Sequence, residues 1–148
     1  EQGYRGGTEA MPLALAFAAA VEAPRAWLDR AASLRSLLEQ AVAQLGGEVV
    51  AGDAPRLAAI GSYRMPGVKA QAQLIRFDMA GISISAGSAC SSGTLRPSTV
   101  LTAMGWNERA AAEVIRVSMG HSTVQEDIDA FLAQWHSIGP GTHKNDLS

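Results

Sequence analysis

The stretch Gly81-Ile-Ser-Ile-Ser-Ala-Gly-Ser-Ala-Cys-Ser-Ser-Gly93 contains Cys90, the only cysteine of the chain. In its first half Ile82 and Ile84 alternate with serines, and this period of two predicts a strand with one apolar face. Its second half consists of small residues with a glycine on each side of Cys90, which is typical of a loop. We therefore expect a strand that delivers a cysteine onto a loop.

Cys90 allows two interpretations. A free cysteine is often a small buried core residue, and burial is the common outcome for a lone cysteine. A core cysteine normally lies in an apolar run, however, whereas Cys90 is surrounded by Ser88, Ser91, Ser92 and Thr94. The polar surroundings favour a reactive thiol.

Composition excludes several classes of protein. The chain has 148 residues, 12 basic and 14 acidic side chains and a net charge of −2, with no basic run that would indicate binding to nucleic acid. One cysteine excludes an internal disulfide framework and a cysteine-rich zinc site, so no metal is expected. The longest apolar run, residues 13–21, is too short to span a bilayer. These features predict one cytoplasmic domain that binds neither nucleic acid nor membrane.

The hydrophobic pattern outward from this stretch predicts an α+β fold, with a short β-sheet covered by helices on one side. Helices are predicted over residues 12–22, 24–45, 69–79, 97–104 and 107–113. Strands are predicted over residues 48–51, 57–63, 82–85 and 114–119. A capping box, either Ser122 with Gln125 or Thr123 with Glu126, is expected to start a last helix with an apolar stripe.

The last predicted strand carries an arginine on its polar face. Alternation puts Ile115 and Val117 on one face and Arg116 with Ser118 on the other. A guanidinium group that points away from the core could grip a carboxylate through two parallel hydrogen bonds. The alternative is an ordinary surface ion pair.

A second candidate lies near the first residue of the chain. The segment Arg5-Gly-Gly-Thr-Glu9 predicts a tight turn that enters a helix, with Thr8 as its N-cap. The free backbone N–H groups of such a turn could hold an anion, although an ordinary capped helix explains the same pattern.

Three segments resemble motifs of one enzyme family. They are residues 87–105 around Cys90, residues 5–9 around Thr8, and residues 115–129 around Arg116. These motifs resemble, in the same order, those of the NifS/IscS-type cysteine desulfurases, which are class-V aminotransferases of the fold type I that use pyridoxal phosphate. The resemblance reaches almost to Ile138 and implies the small C-terminal domain of such an enzyme.

The resemblance implies a role for each motif. Cys90 would attack the sulfur of L-cysteine and leave as a persulfide, with L-alanine as the other product. Arg116 would bind the carboxylate of the substrate, and Thr8 would contact the cofactor phosphate in a neighbouring subunit. The persulfide would pass to a sulfur acceptor or iron–sulfur scaffold protein, and the full-length enzyme would be a homodimer.

The same resemblance implies a division of the chain. Residues 1–23 would be a remnant of the large domain and linker with the phosphate-binding turn. Residues 24–138 would form the small domain with its active-cysteine loop at 85–95, and residues 139–148 a disordered tail.

The family's Schiff-base lysine has no counterpart here. The only lysines are Lys69 and Lys144, and neither lies in the family's Ser-x-His-Lys setting. We therefore expect the isolated chain to be inactive unless a separate large domain completes it. Two alternatives remain open: a non-catalytic module that relays sulfur or docks a scaffold protein, and a fragment of a selenocysteine lyase.

Overall fold

The computed structural model describes residues 10–86 and 98–139, which form six helices and four strands. The helices are α1 (Met11–Glu22), α2 (Trp27–Gln44), α3 (Ala70–Met79), α4 (Thr99–Ala103), α5 (Glu108–Ala111) and α6 (Gln125–Ile138). The strands are β1 (Glu48–Val49), β2 (Ile60–Arg64), β3 (Ser85–Ala86) and β4 (Val114–Ser118). They form one sheet in the order β1-β2-β4-β3, and each neighbouring pair is antiparallel.

The two central strands, β2 and β4, determine which side chains enter the core. Tyr63 lies opposite Ile115 in their register, and both side chains are fully buried. Arg116 and Ser118 point to the other face and are exposed. The predicted alternation along β4 is therefore confirmed.

Three helices cover one face of the sheet. The ring of Phe77 in α3 stacks on that of Phe131 in α6, with 4.7 Å between ring centroids, and Trp135 lies next to Phe131. Helix α2 adds its buried stripe of Ala31, Leu34, Leu38 and Val42. This confirms the expected α+β class with a short sheet, and the long helices α2, α3 and α6 are those that cover one face.

The two short helices lie toward the opposite face at one end of the sheet. Leu101 of α4 and Ala111 of α5 form a small apolar cluster with Val50 and Val114. Because Val114 is two residues from Arg116, both side chains point to the same face of β4. The rest of that face is not part of the main core.

Several predicted boundaries were wrong for local reasons. Helix α2 begins at Trp27 rather than residue 24, because Leu28 N–H donates to Arg25 in a tighter turn before the helix. Strand β1 ends at Val49, because Ala51 has a φ of 52°, which breaks the extended backbone. Strand β2 begins at Ile60, whose N–H closes a turn onto Leu57.

The strand before the cysteine loop is shorter than predicted. Only Ser85 and Ala86 pair with β4, because the N–H of Ile82 instead donates to Phe77 at the end of α3. Ile82 and Ile84 nevertheless pack against the main core, so the apolar face was predicted correctly.

The capping box expected for the last helix was also wrong. Helix α6 starts one residue after Val124, whose N–H donates to the carboxylate of Asp127. The hydroxyl group of Thr123 instead accepts from the N–H of Gly120, inside the preceding turn. The carboxylate of Asp127, one residue after Glu126, accepts this hydrogen bond as well as a glutamate would.

Helix α1 differs from the other long helices because none of its residues is buried. It exposes five large apolar side chains, namely Met11, Leu13, Leu15, Phe17 and Val21. No helix in the described ranges 10–86 and 98–139 is long and apolar enough to cross a membrane.

A buried glutamine ties α3 to the start of β4. Gln73 is fully buried, and its side-chain Nε2 donates to the carbonyl oxygens of Val68 at 2.8 Å and Glu113 at 2.9 Å. A second link joins the same segments, since Ala70 N–H donates to the carbonyl oxygen of Ala112 at 2.8 Å. These bonds fix the chain just before Arg116.

We expect Gln73→Ala to lower the free energy of unfolding by about 2–4 kcal/mol, because it removes the hydrogen bonds to the carbonyl oxygens of Val68 and Glu113 and opens a cavity in the core. Gln71→Ala is the matched control, since Gln71 is exposed on the same helix. Urea denaturation of both variants measures the difference. Equal stability of the two variants would contradict a structural role for Gln73.

Candidate functional site

Arg116 occupies the middle of the sheet face that the main core leaves free. In the register of the sheet it lies directly opposite Ser62 on β2 and directly opposite Ser85 on β3. Its side chain is exposed and makes no hydrogen bond or ion pair with any residue of the described ranges. Arg116 is thus a cation without a protein partner in the part of the chain that the structure describes.

A cleft of about 330 Å³ lies beside Arg116. One wall comes from the turn after β1, one from α4, and the floor from β2 and β4. The lining residues are Val50, Ala51, Arg56, Leu57, Ile60, Gly61, Ser62, Ser98, Val100, Leu101, Met104, Ala111, Val114, Ile115 and Arg116. Its size lies within the range of small-molecule sites, which begins at about 300 Å³.

The charges of the cleft favour an anionic ligand. Among the described residues, Arg56 and Arg116 are the two charged residues of its lining, and neither Asp nor Glu lines it. Arg56 is neutralised by Glu39, because its two terminal nitrogens lie 2.6 and 3.1 Å from the two carboxylate oxygens. The remaining positive charge belongs to Arg116, at the floor of the cleft.

A polar cluster behind the cleft holds one of its walls. Arg56 donates to the carbonyl oxygen of Gly52 as well as to Glu39, and Arg35 donates to the carbonyl oxygen of Leu57. The hydrogen bonds with Glu39 raise the pKa of Arg56 despite its burial. Arg35 and Glu39 lie off the buried stripe of α2, yet their side chains are only 15% and 17% exposed. The cluster anchors the turn that carries Leu57.

Tyr63 reaches this cluster from the core side of β2. Its side chain lies over Gly61, where a Cβ atom would collide with the Tyr63 hydroxyl oxygen, so only glycine fits beneath it. That oxygen is buried and has no hydrogen-bond partner among the described residues. Burial, and secondarily the negative charge of Glu39, raises the pKa of Tyr63 well above its usual value.

A second charge network fixes the start of β4. Arg64 donates to Glu113 at 2.8 Å and to Glu48 at 2.7 Å, joining β1, β2 and the residue before β4. The Glu113 side chain is only 4% exposed. An ion pair in this setting depends on the presence of both partners, because either charge alone would be costly to bury.

Two of the three predicted site residues lie outside the described residues, namely Cys90 and Thr8. So do most of the predicted loop 85–95 and residues 140–148 of the predicted tail. The described part ends before Cys90 at Ala86, which pairs with Ile115, and resumes at Ser98, which lines the cleft. The two described residues that flank the segment with Cys90 are thus a strand partner of Ile115 and a residue of the cleft lining.

The cleft does not by itself fit pyridoxal phosphate. A Schiff base requires a lysine, and no lysine lines the cleft; Lys69 precedes α3, and Lys144 lies outside the described residues. In the described ranges no group of three His, Cys, Asp or Glu side chains could hold a metal ion. What the described residues offer is an anion site.

Sequence reasoning missed the neighbours of Arg116. Ser62 and the cleft walls become visible only when the strands are paired, because Ser62 is far from Arg116 along the chain. A partial signal exists for the polar cluster, since Arg35 and Glu39 have the i, i+4 spacing of a helical ion pair.

Comparison with known proteins gives a consistent family. Residues 1–131 match the family model of class-V aminotransferases. The chain is 39% identical over 138 residues to a cysteine desulfurase from Rhodobacter capsulatus, covering 90% of this chain and 36% of that protein. It is 34% identical to an IscS-like cysteine desulfurase from Mycobacterium tuberculosis, covering 89% of this chain and 35% of that protein. The chain thus spans about a third of the length of these relatives.

Two solved structures of NifS-like proteins are similar to this chain. A NifS-like protein from Rickettsia africae is 30% identical with a TM-score of 0.65, over 75% of this chain and 28% of that one. A second NifS-like protein, 24% identical, has a TM-score of 0.69 over 92% of this chain and 35% of that one, which shows the fold.

The Tyr63 hydroxyl group, which has no hydrogen-bond partner among the described residues, can be tested by removing it. We expect Tyr63→Phe to leave the free energy of unfolding at neutral pH unchanged or raise it by up to about 2 kcal/mol, because a buried hydroxyl without a partner is destabilising. Chemical denaturation at neutral pH measures the change. A large loss of stability would show that the hydroxyl group has a partner.

The same variant should change the alkaline limit of stability. In the unfolded chain a tyrosine ionises near pH 10, about its ordinary pKa. The raised pKa keeps Tyr63 protonated in the folded state. The unfolded state then binds fewer protons, so stability falls as pH rises above about 10, by up to about 1.4 kcal/mol per unit. In Tyr63→Phe the free energy of unfolding should fall less steeply above about pH 10. Parallel plots of this free energy against pH for the variant and the unsubstituted protein would contradict the prediction.

Proposed function

Because this chain belongs to the aminotransferase class-V family, we propose that it forms part of a cysteine desulfurase in which Cys90 receives sulfur from L-cysteine. The C–S bond of the substrate breaks and an S–S bond to Cys90 forms. A hydrogen replaces sulfur on the carbon, so the products are L-alanine and a persulfide on Cys90. The thiol sulfurs are oxidised to the persulfide level while the substrate carbon is reduced.

This proposal is supported by Arg116, which has no acidic partner among the described residues and lies in a cleft that no described Asp or Glu lines. A guanidinium group forms two parallel hydrogen bonds with a carboxylate, and the substrate is an amino acid with one. Of the two described residues that flank the segment with Cys90, Ser98 lines the cleft and Ala86 pairs with Ile115, the neighbour of Arg116 in β4. The proposal therefore requires that Cys90 can reach a substrate held at Arg116.

The cofactor in this proposal is pyridoxal phosphate, which supplies an electron sink for C–S cleavage. No lysine of the described residues lines the cleft, so we place most of the cofactor site on residues outside this chain, with Thr8 contributing to the phosphate. The role of the present chain is to bind the substrate carboxylate and present Cys90.

The division of the chain is proposed on the same basis. Residues 1–23 would belong with the large domain and linker, and residues 24–138 would form the small domain with its loop at 85–95. The contrast between α1, which has no buried residue, and α2, which has four, supports a boundary between them.

The parent enzyme would be a cytoplasmic homodimer that passes sulfur to an acceptor or iron–sulfur scaffold protein. The iron–sulfur role rests on the resemblance around Cys90. Neither the acceptor nor the dimer is needed for the first test.

The proposal is tested by transplanting this chain into a complete enzyme. The 138 aligned residues of the Rhodobacter capsulatus relative are replaced by those of this chain, and alanine and sulfide are assayed with L-cysteine and pyridoxal phosphate. We expect turnover that Cys90→Ser abolishes. We also expect Arg116→Gln to raise KM about tenfold to a hundredfold, through the loss of charge-assisted bonds.

Arg109→Gln is the matched control, because its side chain is 86% exposed and the cleft excludes it. A hybrid that binds pyridoxal phosphate but forms no alanine would instead favour a module that relays sulfur or docks a scaffold. Turnover of selenocysteine that does not require Cys90, without turnover of cysteine, would identify a selenocysteine lyase.

A further inference from the structure

Arg116 is flanked by a serine on each side, but the two serines are not equivalent. Ser62 and Ser85 are its direct partners on β2 and β3, and all three side chains point to the same face of the sheet. Directly opposed residues in antiparallel strands have Cα atoms about 4.5–5.5 Å apart. Either hydroxyl group is therefore near the Arg116 side chain at its base.

Only Ser62 belongs to the cleft. It lines the cleft and is half-buried, whereas Ser85 is exposed and does not line it. Ser62 also lies in a central strand, and its carbonyl oxygen accepts from the N–H of Val50 at 2.9 Å. Ser85 belongs to the two-residue edge strand β3. The hydroxyl group on the cleft side of Arg116 is thus the more rigidly held.

The Ser62 hydroxyl group is available to donate a hydrogen bond to a ligand. It makes no hydrogen bond with any residue of the described ranges, and no acidic side chain of the cleft competes for it. A carboxylate has about four lone-pair sites, of which an arginine fork occupies two. A neutral donor beside the arginine can use a third and fix how the carboxylate is turned.

We propose that Ser62 is a second carboxylate-binding residue of the Arg116 cleft, donating its hydroxyl hydrogen bond to an amino-acid ligand whose carboxylate Arg116 grips. This proposal rests on the proposed function for the class of ligand. Arg116 supplies the charge, and Ser62 sets the orientation. The α-carbon and side chain of the ligand then extend along the apolar wall that includes Leu57 and Met104.

The binding test uses the 148-residue chain and L-alanine, the expected product, because alanine has the carboxylate but no thiol to react. Binding is followed by two-dimensional NMR titration, with L-alaninamide as a probe that lacks the carboxylate. We expect alanine to shift the signals of residues 62 and 116, and alaninamide to leave them unchanged. Arg116→Gln should abolish the alanine shifts.

Ser62→Ala should raise the Kd for alanine about tenfold, the effect of one hydrogen bond to a charged group. Ser62→Thr should restore binding, because it retains the hydroxyl group and threonine is favoured in strands. Ser85→Ala is the matched control and should leave the Kd within about twofold, since it removes the same group outside the cleft. The spectrum of each free variant checks its fold.

Each other outcome overturns the inference. Unchanged affinity in Ser62→Ala, equal losses in the two alanine variants, or no binding of alanine by the unsubstituted chain would each exclude Ser62 from this role. The test does not involve Cys90 or sulfur transfer. A hybrid enzyme that fails to use cysteine while alanine still binds through Ser62 would therefore reject the proposed function and leave this inference standing.

Discussion

The antiparallel pairing of β2 with β4 is the constraint on which the rest of the molecule depends. A strand has a side-chain period of two, so a slip of one residue would exchange its two faces. It would then bring Arg116 into the core and expose Ile115, whose side chain is fully buried. The cost of burying an unpaired guanidinium group opposes such a slip. The register between β2 and β4 therefore determines both which side chains enter the core and which face the cleft.

That register is held at one end by polar groups rather than by apolar packing. Glu113 accepts from Arg64 through its side chain and from Gln73 through its carbonyl oxygen. Three residues later the chain reaches Arg116. Glu113 is bound by Arg64 and Gln73, whereas the Arg116 side chain has no partner among the described residues. The strand is therefore held at its start and chemically available at its centre. This is the arrangement expected of a binding residue supported by a scaffold.

The elements that could be predicted from the sequence are those governed by local periodicity. The alternation along β4 and the apolar stripe of α6 follow from the spacing of apolar residues, and both were found. The Asp127 cap and the early end of β1 depend on choices between nearby acceptors and backbone conformations that spacing does not decide. Ser62 could not be connected with Arg116, because strand pairing brings distant residues together. The roles of Cys90 and Thr8 come from resemblance and remain predictions.

The unburied surface of α1 has a consequence for how the chain behaves in water. Five large apolar side chains project from this one helix, including Leu13 and Phe17, which are 72% and 73% exposed. Contiguous apolar surface of this kind promotes association between any molecules that display it. The apparent size of the isolated chain should therefore grow with concentration and shrink with mild detergent, whatever the symmetry of the enzyme to which such a domain belongs. The exposed side chains of α1 thus affect the colloidal stability of the chain and not the chemistry of the cleft.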